Sequence, residues 1–445
     1  MGAMRLAWFS PMPPARSGVA ACSRELVAAL RDQHVVDVFV DDPLVTHSAD
    51  GRSAHEFPWR HRLDPYDLTV YQVGNSSSHD YLWPYLFRFP GLAVLHDVRL
   101  HHARAAALLR RGRPGDYRAE VTANHPDLDP GLAEMAIAGF DTPLYYRWPM
   151  TRLIAQASRL VAVHTPTAAA ALQLEVPEAA VRLVPLGHGE ALDDEARREA
   201  RTRVRARWSI PGDTLVFGCF GGLTPEKRLP QILKAFAATM AYAPKARLIL
   251  AGDSPDMRAL RADVHRLGLD GHVITTGYLD SDAALTACIA ACDATLNLRW
   301  PTAGELSGPW LRSLALGLPT VIVDLAHLAD VPSLDPRTWQ RHGGGSGAPP
   351  VCIAVDILDE DHSLALAMRR LAAHPALRES LGRAAADYWR REHAPSIMIE
   401  RYRALLPEAM ATPVPTVSLP AHLVDDGGRV LEAIGAQFGL QPLAR

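Results

Sequence analysis

Residues 299–323 read Arg-Trp-Pro-Thr-Ala-Gly-Glu-Leu-Ser-Gly-Pro-Trp-Leu-Arg-Ser-Leu-Ala-Leu-Gly-Leu-Pro-Thr-Val-Ile-Val. This order predicts the end of a strand, a polar loop, a short helix, a tight turn and the next strand. Ser307 or Gly308 suits the helix cap, and Pro309 stands where a missing N–H costs nothing. Gly317 suits the left-handed residue that closes the helix, and Pro319 prevents its continuation. The N–H groups of Ser307, Gly308 and Leu311 are then expected to point out of the loop as a seat for phosphate. Glu305 stands beside that seat, placed to grip a sugar attached to the phosphate.

Strands of the same kind recur outward from this stretch. In the second half they read at Leu215–Phe220, Arg247–Ala251, His272–Thr276, Ala294–Leu298 and Thr320–Val323, with helices between them. In the first half they read at Met4–Phe9, Val35–Val40, Leu68–Gln72, Leu92–Leu95, Leu160–Val163 and Val181–Val184. A helix through Leu26, Val27 and Leu30 follows the first of these, and 99–150 is helical in pattern with breaks at Gly112–Gly115 and His125–Pro130. Alternating strands and helices imply an α/β chain of parallel sheets covered by helices. The polar, Arg- and Glu-rich stretch 187–213 marks a boundary between two such domains. We therefore expect domains at 1–190 and 191–395, with a helical segment and tail at 396–445 packing back toward the first. Gly343–Pro350 reads as a flexible loop, Ala411–Pro420 as a Pro-rich spacer, and Val424–Phe438 as a last short helix.

A chain of 445 residues with 48% apolar and 21% charged residues is long enough for two full cores. A net charge of −3 gives no case for nucleic acid as the main partner. The N-terminus lacks the charged-then-apolar pattern of a signal peptide, and Met1-Gly2-Ala3 ahead of Met4 reads as a cloning scar. No apolar run reaches the ~20 residues of a membrane helix. Five scattered cysteines suit a reducing cytoplasm, and Cys288 and Cys292 share a helix face that suits core packing better than metal binding. Only three lysines are present, Lys227, Lys234 and Lys245, so a lysine inside a motif is conspicuous.

Lys227 lies in such a motif, Gly218-Cys-Phe-Gly-Gly-Leu-Thr-Pro-Glu-Lys-Arg228, directly after a strand. Glycines at a strand end admit phosphates to the backbone, and a lysine pairs with them as a point charge. Alone, the segment reads equally as a strand-to-helix turn with a solvated lysine. Val94-Leu-His-Asp97 ends another strand, and Tyr71-Gln-Val-Gly-Asn75 with His79 ends its neighbour. His96 and Asp97 with His101 and His102 lack a defined ligand geometry, so no metal site is assigned. Asp41 follows the second strand as a ribose-binding acid would, but the first turn carries no Gly-x-Gly-x-x-Gly, which disfavours a nicotinamide-dependent dehydrogenase. The arginine-rich helix at 99–113 reads as a solvated face rather than a lipid contact.

Together these segments resemble family 4 glycosyltransferases of the GT-B fold over about residues 4–408. The glycine-rich segment resembles that family's Gly-Arg-Leu-x-x-x-Lys-Gly, with Gly222 in place of the usual arginine and Arg228 in place of the last glycine. The 299–323 segment resembles a branch that reads Pro-Thr-x-Gly-Glu-x-Ser-Gly, with Arg312 where most of the family has its second, ribose-binding glutamate. The resemblance implies two facing Rossmann-like doubly wound domains with an interdomain cleft. It implies a retaining, hexosyl-type transferase that uses a nucleotide-diphosphate sugar as co-substrate, with no metal or other cofactor. Catalytic roles then fall on Glu305, His96 and Asp97. Donor contacts fall on Gly18, Gly221, Gly222, Lys227, Arg228, Gly277, Tyr278, Arg299, Gly304, Leu306, Ser307, Gly308 and Arg312. Acceptor-side contacts fall on Gln72, Gly74, Asn75 and His79. Arg312 is expected either to pair with Glu305 or to supply the diphosphate contact missing at Gly222. The expected acceptor is a saccharide, a lipid-linked precursor or a small molecule, as in bacterial polysaccharide or natural-product biosynthesis. The implied location is the cytoplasm, with peripheral contact at the inner membrane face. An epimerase or hydrolase on the same fold, or a binding protein that has lost activity, are the alternatives.

Overall fold

In the computed structural model, residues 2–46, 51–140, 142–323, 331–343, 347–425 and 428–439 are described. The chain forms two compact units. Unit 1 comprises Met1–Val163, Ala169–Arg182 and Ala404–Arg445; unit 2 comprises His164–Ala168 and Leu183–Arg403.

Unit 1 is built on seven strands: β1 (Arg5–Phe9), β2 (Val35–Val40), β3 (Arg52–Ser53), β4 (Leu68–Val73), β5 (Leu92–Leu95), β6 (Leu160–Val163) and β7 (Val181–Leu183). Their order is β3-β2-β1-β4-β5-β6-β7, with β1 to β6 parallel. The central strands β1, β4, β5 and β6 are nearly continuous apolar runs because both sheet faces are covered there, and every residue of β4 is buried. Phe9 stacks between Phe39 and Tyr71, with ring centroids 5.2 and 5.0 Å away, and Phe57 meets it edge-on at 5.0 Å. The Tyr71 hydroxyl donates to the carbonyl of Phe89 (2.9 Å), so the ring is buried without stranding its polar end.

Unit 2 carries β8 (Val216–Phe220), β9 (Arg247–Ala251), β10 (Val273–Gly277), β11 (Ala294–Asn297), β12 (Thr320–Val323), β13 (Ser333–Leu334), β14 (Arg341–His342) and β15 (Cys352–Val355). The order is β10-β9-β8-β11-β12-β15-β13-β14; among the described residues its neighbouring strands pair in parallel except β13 and β14, which are antiparallel. Both sheets reverse direction of winding beside their first strand, between β1 and β4 and between β8 and β11. Ligands of doubly wound sheets bind outside the carboxyl ends of the strands at that reversal. In unit 2 the place is therefore set by the ends of β8 and β11.

Several expectations need correction. Cys352–Val355 is a fully buried strand inside the sheet, though no strand is read there from sequence. Four apolar residues before an aspartate carry too little periodicity to be told from a loop. The helix expected over 424–438 is present as Gly428–Gln437, and a short turn of helix not read from sequence, Ala421–Val424, precedes it. Residues 344–346 of the expected loop and 426–427 between those helices lie outside the described residues. Arg104 does not belong to a solvated face. It is buried, it lies 4.1 Å above the Trp83 ring, and its Nε donates to Glu120 Oε2 at 2.9 Å. His422 completes that cluster by donating from Nε2 to Glu120 Oε1 (2.8 Å), which anchors the C-terminal segment on unit 1. Cys288 and Cys292 are buried in the unit 2 core.

The Arg- and Glu-rich stretch forms the helix Asp194–Arg207, with Asp193 capping its start and arginines in its last turn, as the helix dipole favours. Its Arg205 is buried and donates to the carbonyls of Ala291 (3.0 Å), Gly212 (3.0 Å) and Thr214 (2.9 Å) and to Asp293 (2.9 Å). Asp293 in turn accepts from the N–H of Val216 at the start of β8 (2.7 Å). Arg205→Ala should lower unfolding stability by about 1–3 kcal/mol, since it removes the donor from several buried carbonyls while Asp293 keeps Arg201 (2.7 Å). Chemical denaturation is the check, and a loss below about 1 kcal/mol would contradict this account.

Burial also pushes the pKa of His79 and His101 in unit 1, and of His164 and His393 in unit 2, down to about 4. Each binds its proton near pH 6.5 when unfolded. Between pH 6.5 and 4 the unfolded chain therefore holds more protons, and stability present above pH 6.5 is lost as pH falls through that window. The urea midpoint should decline across it, each histidine removing on the order of 1–3 kcal/mol. His164→Gln should shrink the slope; an unaltered slope would remove His164 from the cause.

Candidate active site

β8 delivers its chain to Gly221, whose φ of +94° favours glycine. Gly252, at the end of β9, crosses so close that a Cβ there would lie 2.0 Å from the Gly221 carbonyl oxygen. The loop is held there by Gly221 N–H donating to Ala251 O (2.9 Å) and Leu223 N–H donating to Asp253 O (2.8 Å). The turn Pro225–Lys227 then folds the Lys227 side chain inward. Lys227 is buried and donates from Nζ to the carbonyl of Phe220 at 3.0 Å. Burial pushes its pKa below the usual lysine value, with Arg299 acting in the same sense and Glu305 against it.

The loop after β11 comes to the same place. Trp300 N–H donates to Glu226 O (2.8 Å), tying it to the Lys227 turn. Arg299 Nε lies 2.6 Å from Glu305 Oε1, and the Thr302 hydroxyl donates to Glu305 Oε2 (2.9 Å). Gly304 has a φ of +79°, and its N–H donates to the Thr302 hydroxyl (3.0 Å). Leu306 is buried behind the loop. Ser307 caps the helix Gly308–Ala315 by accepting from Trp310 N–H (3.3 Å). Pro309 Cγ lies 3.5 Å, and Lys227 Nζ 3.8 Å, from the point where a Cβ on Gly221 would sit. Gly221, Lys227 and the first turn of the helix are therefore neighbours. Leu311 is a correction: its N–H donates to Ser307 O (3.1 Å) inside the helix, so the phosphate seat reduces to the N–H groups of Ser307 and Gly308 that precede the helical ladder.

Arg312 and Arg228 also differ from expectation. Arg312 does not pair with Glu305, whose partner is Arg299. Arg312 is buried and donates to His188 Nε2 (3.0 Å) and to Asp282 Oδ1 (2.7 Å). His188 is packed against Gly308, its Cδ2 lying 3.1 Å from where a Cβ there would be. Burial and the neighbouring Arg312 push the His188 pKa down to about 3, so the ring is neutral and accepts. Arg228 adopts a left-handed φ of +58°, the conformation a glycine would favour at this position, and its guanidinium is held by Glu360 (Nε–Oε1 2.9 Å). Both guanidinium groups are thus engaged by side chains of unit 2. Gly222 is exposed, and a Cβ there would meet only the Thr224 methyl at 3.7 Å. Gly277 ends β10 at a φ of +68°, and Tyr278, 40% exposed, donates its N–H to Asp253 Oδ1 (3.2 Å).

Unit 1 gathers a second group at the carboxyl ends of β4 and β5. His96 Nε2 donates to Gln72 Oε1 (2.7 Å), and His79 Nδ1 donates to Gln72 O (2.8 Å). A Cβ on Gly74 would lie 2.7 Å from His79 Nε2, so glycine is required for the ring to pack there. Asp97 Oδ2 accepts from Asn75 N–H (2.6 Å), and Asn75 Oδ1 accepts from Ala103 N–H (2.9 Å). Gly18 opens the helix Gly18–Leu30 after β1, next to the Ser17 cap. Sequence reasoning missed Thr302, His188, Asp253 and Asp282. Thr302 is signalled by its three-residue spacing to Glu305, whereas Asp282 and His188 stand 30 and 124 residues from Arg312 and carry no local signal.

Residues 214–337 match the protein-family model described as Glycosyl transferases group 1. A Mycobacterium tuberculosis protein named GDP-mannose-dependent alpha-(1-6)-phosphatidylinositol dimannoside mannosyltransferase is 32% identical over 153 residues, 34% of this chain. The match spans 38% of that protein's length. Among solved structures, Anabaena Alr3699/HepE in complex with UDP-glucose is similar with a TM-score of 0.58 at 15% identity, covering 91% of this chain and 100% of that one. WaaG, a glycosyltransferase involved in lipopolysaccharide biosynthesis, gives 0.58 at 14% identity, covering 90% and 99%. The fold of the chain is GT-B, and the segment that holds Gly221, Lys227, Glu305 and the 308–315 helix is the one that matches the glycosyl transferases group 1 model.

Proposed function

We propose that this protein is a glycosyltransferase that moves a sugar from a nucleotide-diphosphate sugar to an acceptor hydroxyl. The observation that carries this reading is the convergence of the buried Lys227 ammonium, Gly221 and the first turn of the 308–315 helix, with Glu305 on the loop leading into that helix. In such a transfer the bond between the anomeric carbon and the phosphate oxygen breaks, and negative charge grows on the departing diphosphate. An ammonium and a helix N-terminus in a partly dry site stabilise that charge without reorganising. Glu305, held by Arg299 and Thr302, is a fixed acceptor for hydroxyls of the sugar. The family resemblance adds retention of configuration, with the departing phosphate oxygen taking the acceptor's proton, so no protein nucleophile is invoked. We assign the acceptor to the unit 1 group of Gln72, Gly74, Asn75 and His79, with His96 and Asp97 beside it. Arg228 and Arg312 leave the set of direct diphosphate contacts, since Glu360 and Asp282 hold them.

The partial match to a GDP-mannose-dependent enzyme and the fold shared with a UDP-glucose complex make GDP-mannose and UDP-glucose the first donors to try. Among the described residues no helix is long and apolar enough to cross a membrane, so a lipid-linked acceptor would be met from outside the bilayer. Thermal shift and product analysis with each donor test the reading. Stabilisation with slow hydrolysis supports a transferase, rapid isomerisation an epimerase, and no response a protein without donor chemistry.

Two substitutions sharpen the test. Lys227→Ala should weaken binding of the matching nucleoside diphosphate by about 1.5–3 kcal/mol in calorimetry, and unchanged affinity would make Lys227 structural only. Glu305→Gln should cut turnover about a hundredfold while Tm falls by only a few degrees. Wild-type turnover in that variant would end the case for a sugar grip at Glu305.

A further inference from the structure

Two carboxylates flank the 308–315 helix, and each is held by an arginine. Arg299 holds Glu305 on the loop before the helix, and Arg312 holds Asp282 one turn inside it. The second pair is lopsided: the Arg312 side chain is 6% exposed, whereas that of Asp282 is 44% exposed. Burying a guanidinium carries a desolvation cost, and a pair with a solvated aspartate returns little of it. The arrangement is reasonable where the position of the carboxylate matters. Arg312 is itself aimed by His188, which accepts from Arg312 Nε at 3.0 Å and packs on Gly308.

Asp282 is also tied to the phosphate side by the backbone. It opens the helix Asp282–Ala290, capped by Ser281, a few residues after β10. β10 ends at Gly277, which bridges to Gly252, and Gly252 in turn packs on the Gly221 carbonyl. Through Gly308, His188 and Arg312 on one side, and Gly221, Gly252 and Gly277 on the other, Asp282 lies within a nucleotide's length of the seat. That seat does not rest on the helix terminus alone. Lys227 is buried there with three donors and one hydrogen bond, to the Phe220 carbonyl.

We propose that Asp282, fixed by Arg312, recognises the vicinal hydroxyls of the donor's ribose, so that the site selects ribonucleoside diphosphates. The inference rests on the glycosyltransferase reading. A molecule with a diphosphate between two polyols, a sugar and a ribose, offers hydroxyl donors on both sides of the phosphates. Two fixed carboxylates, acceptors only, answer that pattern. Arg312, which can only donate, acts here as a positioning residue.

The test is calorimetry on the full chain with UDP, GDP and ADP and with their 2′,3′-dideoxy forms. Wild-type protein should prefer the ribo form of the base it binds by about tenfold or more. Asp282→Asn should bind the ribo form as weakly as the dideoxy form, with affinity for the dideoxy form unchanged, and Asp282→Glu should restore part of the preference. The unchanged dideoxy affinity reports an intact phosphate seat in each variant. A preference retained in Asp282→Asn, a wild type with no preference, or a loss of both ligands in the variant would overturn the proposal and leave the glycosyltransferase reading standing. Failure of all three diphosphates to bind folded wild-type protein would remove both.

Discussion

Lys227 carries an ammonium group inside unit 2 with a backbone carbonyl as its hydrogen-bond partner, and the rest of the site is arranged around that charge. Glu305 is close enough to favour the ammonium but is already matched by Arg299. Two cations and one anion therefore share a corner largely withdrawn from water. Burial alone disfavours such a charge, as the lowered pKa of Lys227 expresses. An incoming dianion reverses the balance, because it brings the missing counter-charge into a region of low dielectric. Gly221, Gly252 and the bond from Trp300 N–H to Glu226 O hold the two loops in the one register that keeps the ammonium there.

What the sequence made legible follows from how local each signal is. Val35–Val40, Leu92–Leu95, Arg247–Ala251 and Thr320–Val323 have the bounds that their largely apolar sequence predicts, since parallel strands covered on both faces need little else. The cap at Ser307 and the stop at Gly317, whose φ is +63°, were readable because capping is settled within one turn. Cys352–Val355 was not, because four residues of buried strand differ from a loop only through the neighbours they acquire.

The arginines show the same limit from the other side. Arg104, Arg205, Arg228 and Arg312 look alike in a list of cations, yet each is committed to a partner 16 to 132 residues away. Charge runs give their residues no addresses, and only tertiary structure separates a solvated guanidinium from one that braces a fold. Arg228 adds a further reason: its left-handed backbone is what a glycine would supply more cheaply, and the ion pair with Glu360 offsets that strain.

Unit 1 is assembled from both ends of the chain. Glu408 reaches Arg182 (2.7 Å), the carbonyl of Met410 reaches Arg159 (2.9 Å), and His422 closes on Glu120, so residues beyond 403 complete a body that the first residues begin. Unit 2 is in effect a long insertion between them. On a ribosome this inverts the usual order of maturation, in which the N-terminal body folds first. Residues 183–403 emerge whole and can close their own sheet while the earlier body still waits for its final helix. The buried carboxylate of Glu120 faces Arg104 from the start, but its histidine partner, His422, is made only after unit 2. Nascent chains stalled shortly after residue 403 should hence leave Arg159, Arg182 and Glu120 exposed until Met410, Glu408 and His422 engage them, which makes that interval the one in which a chaperone has most to hold.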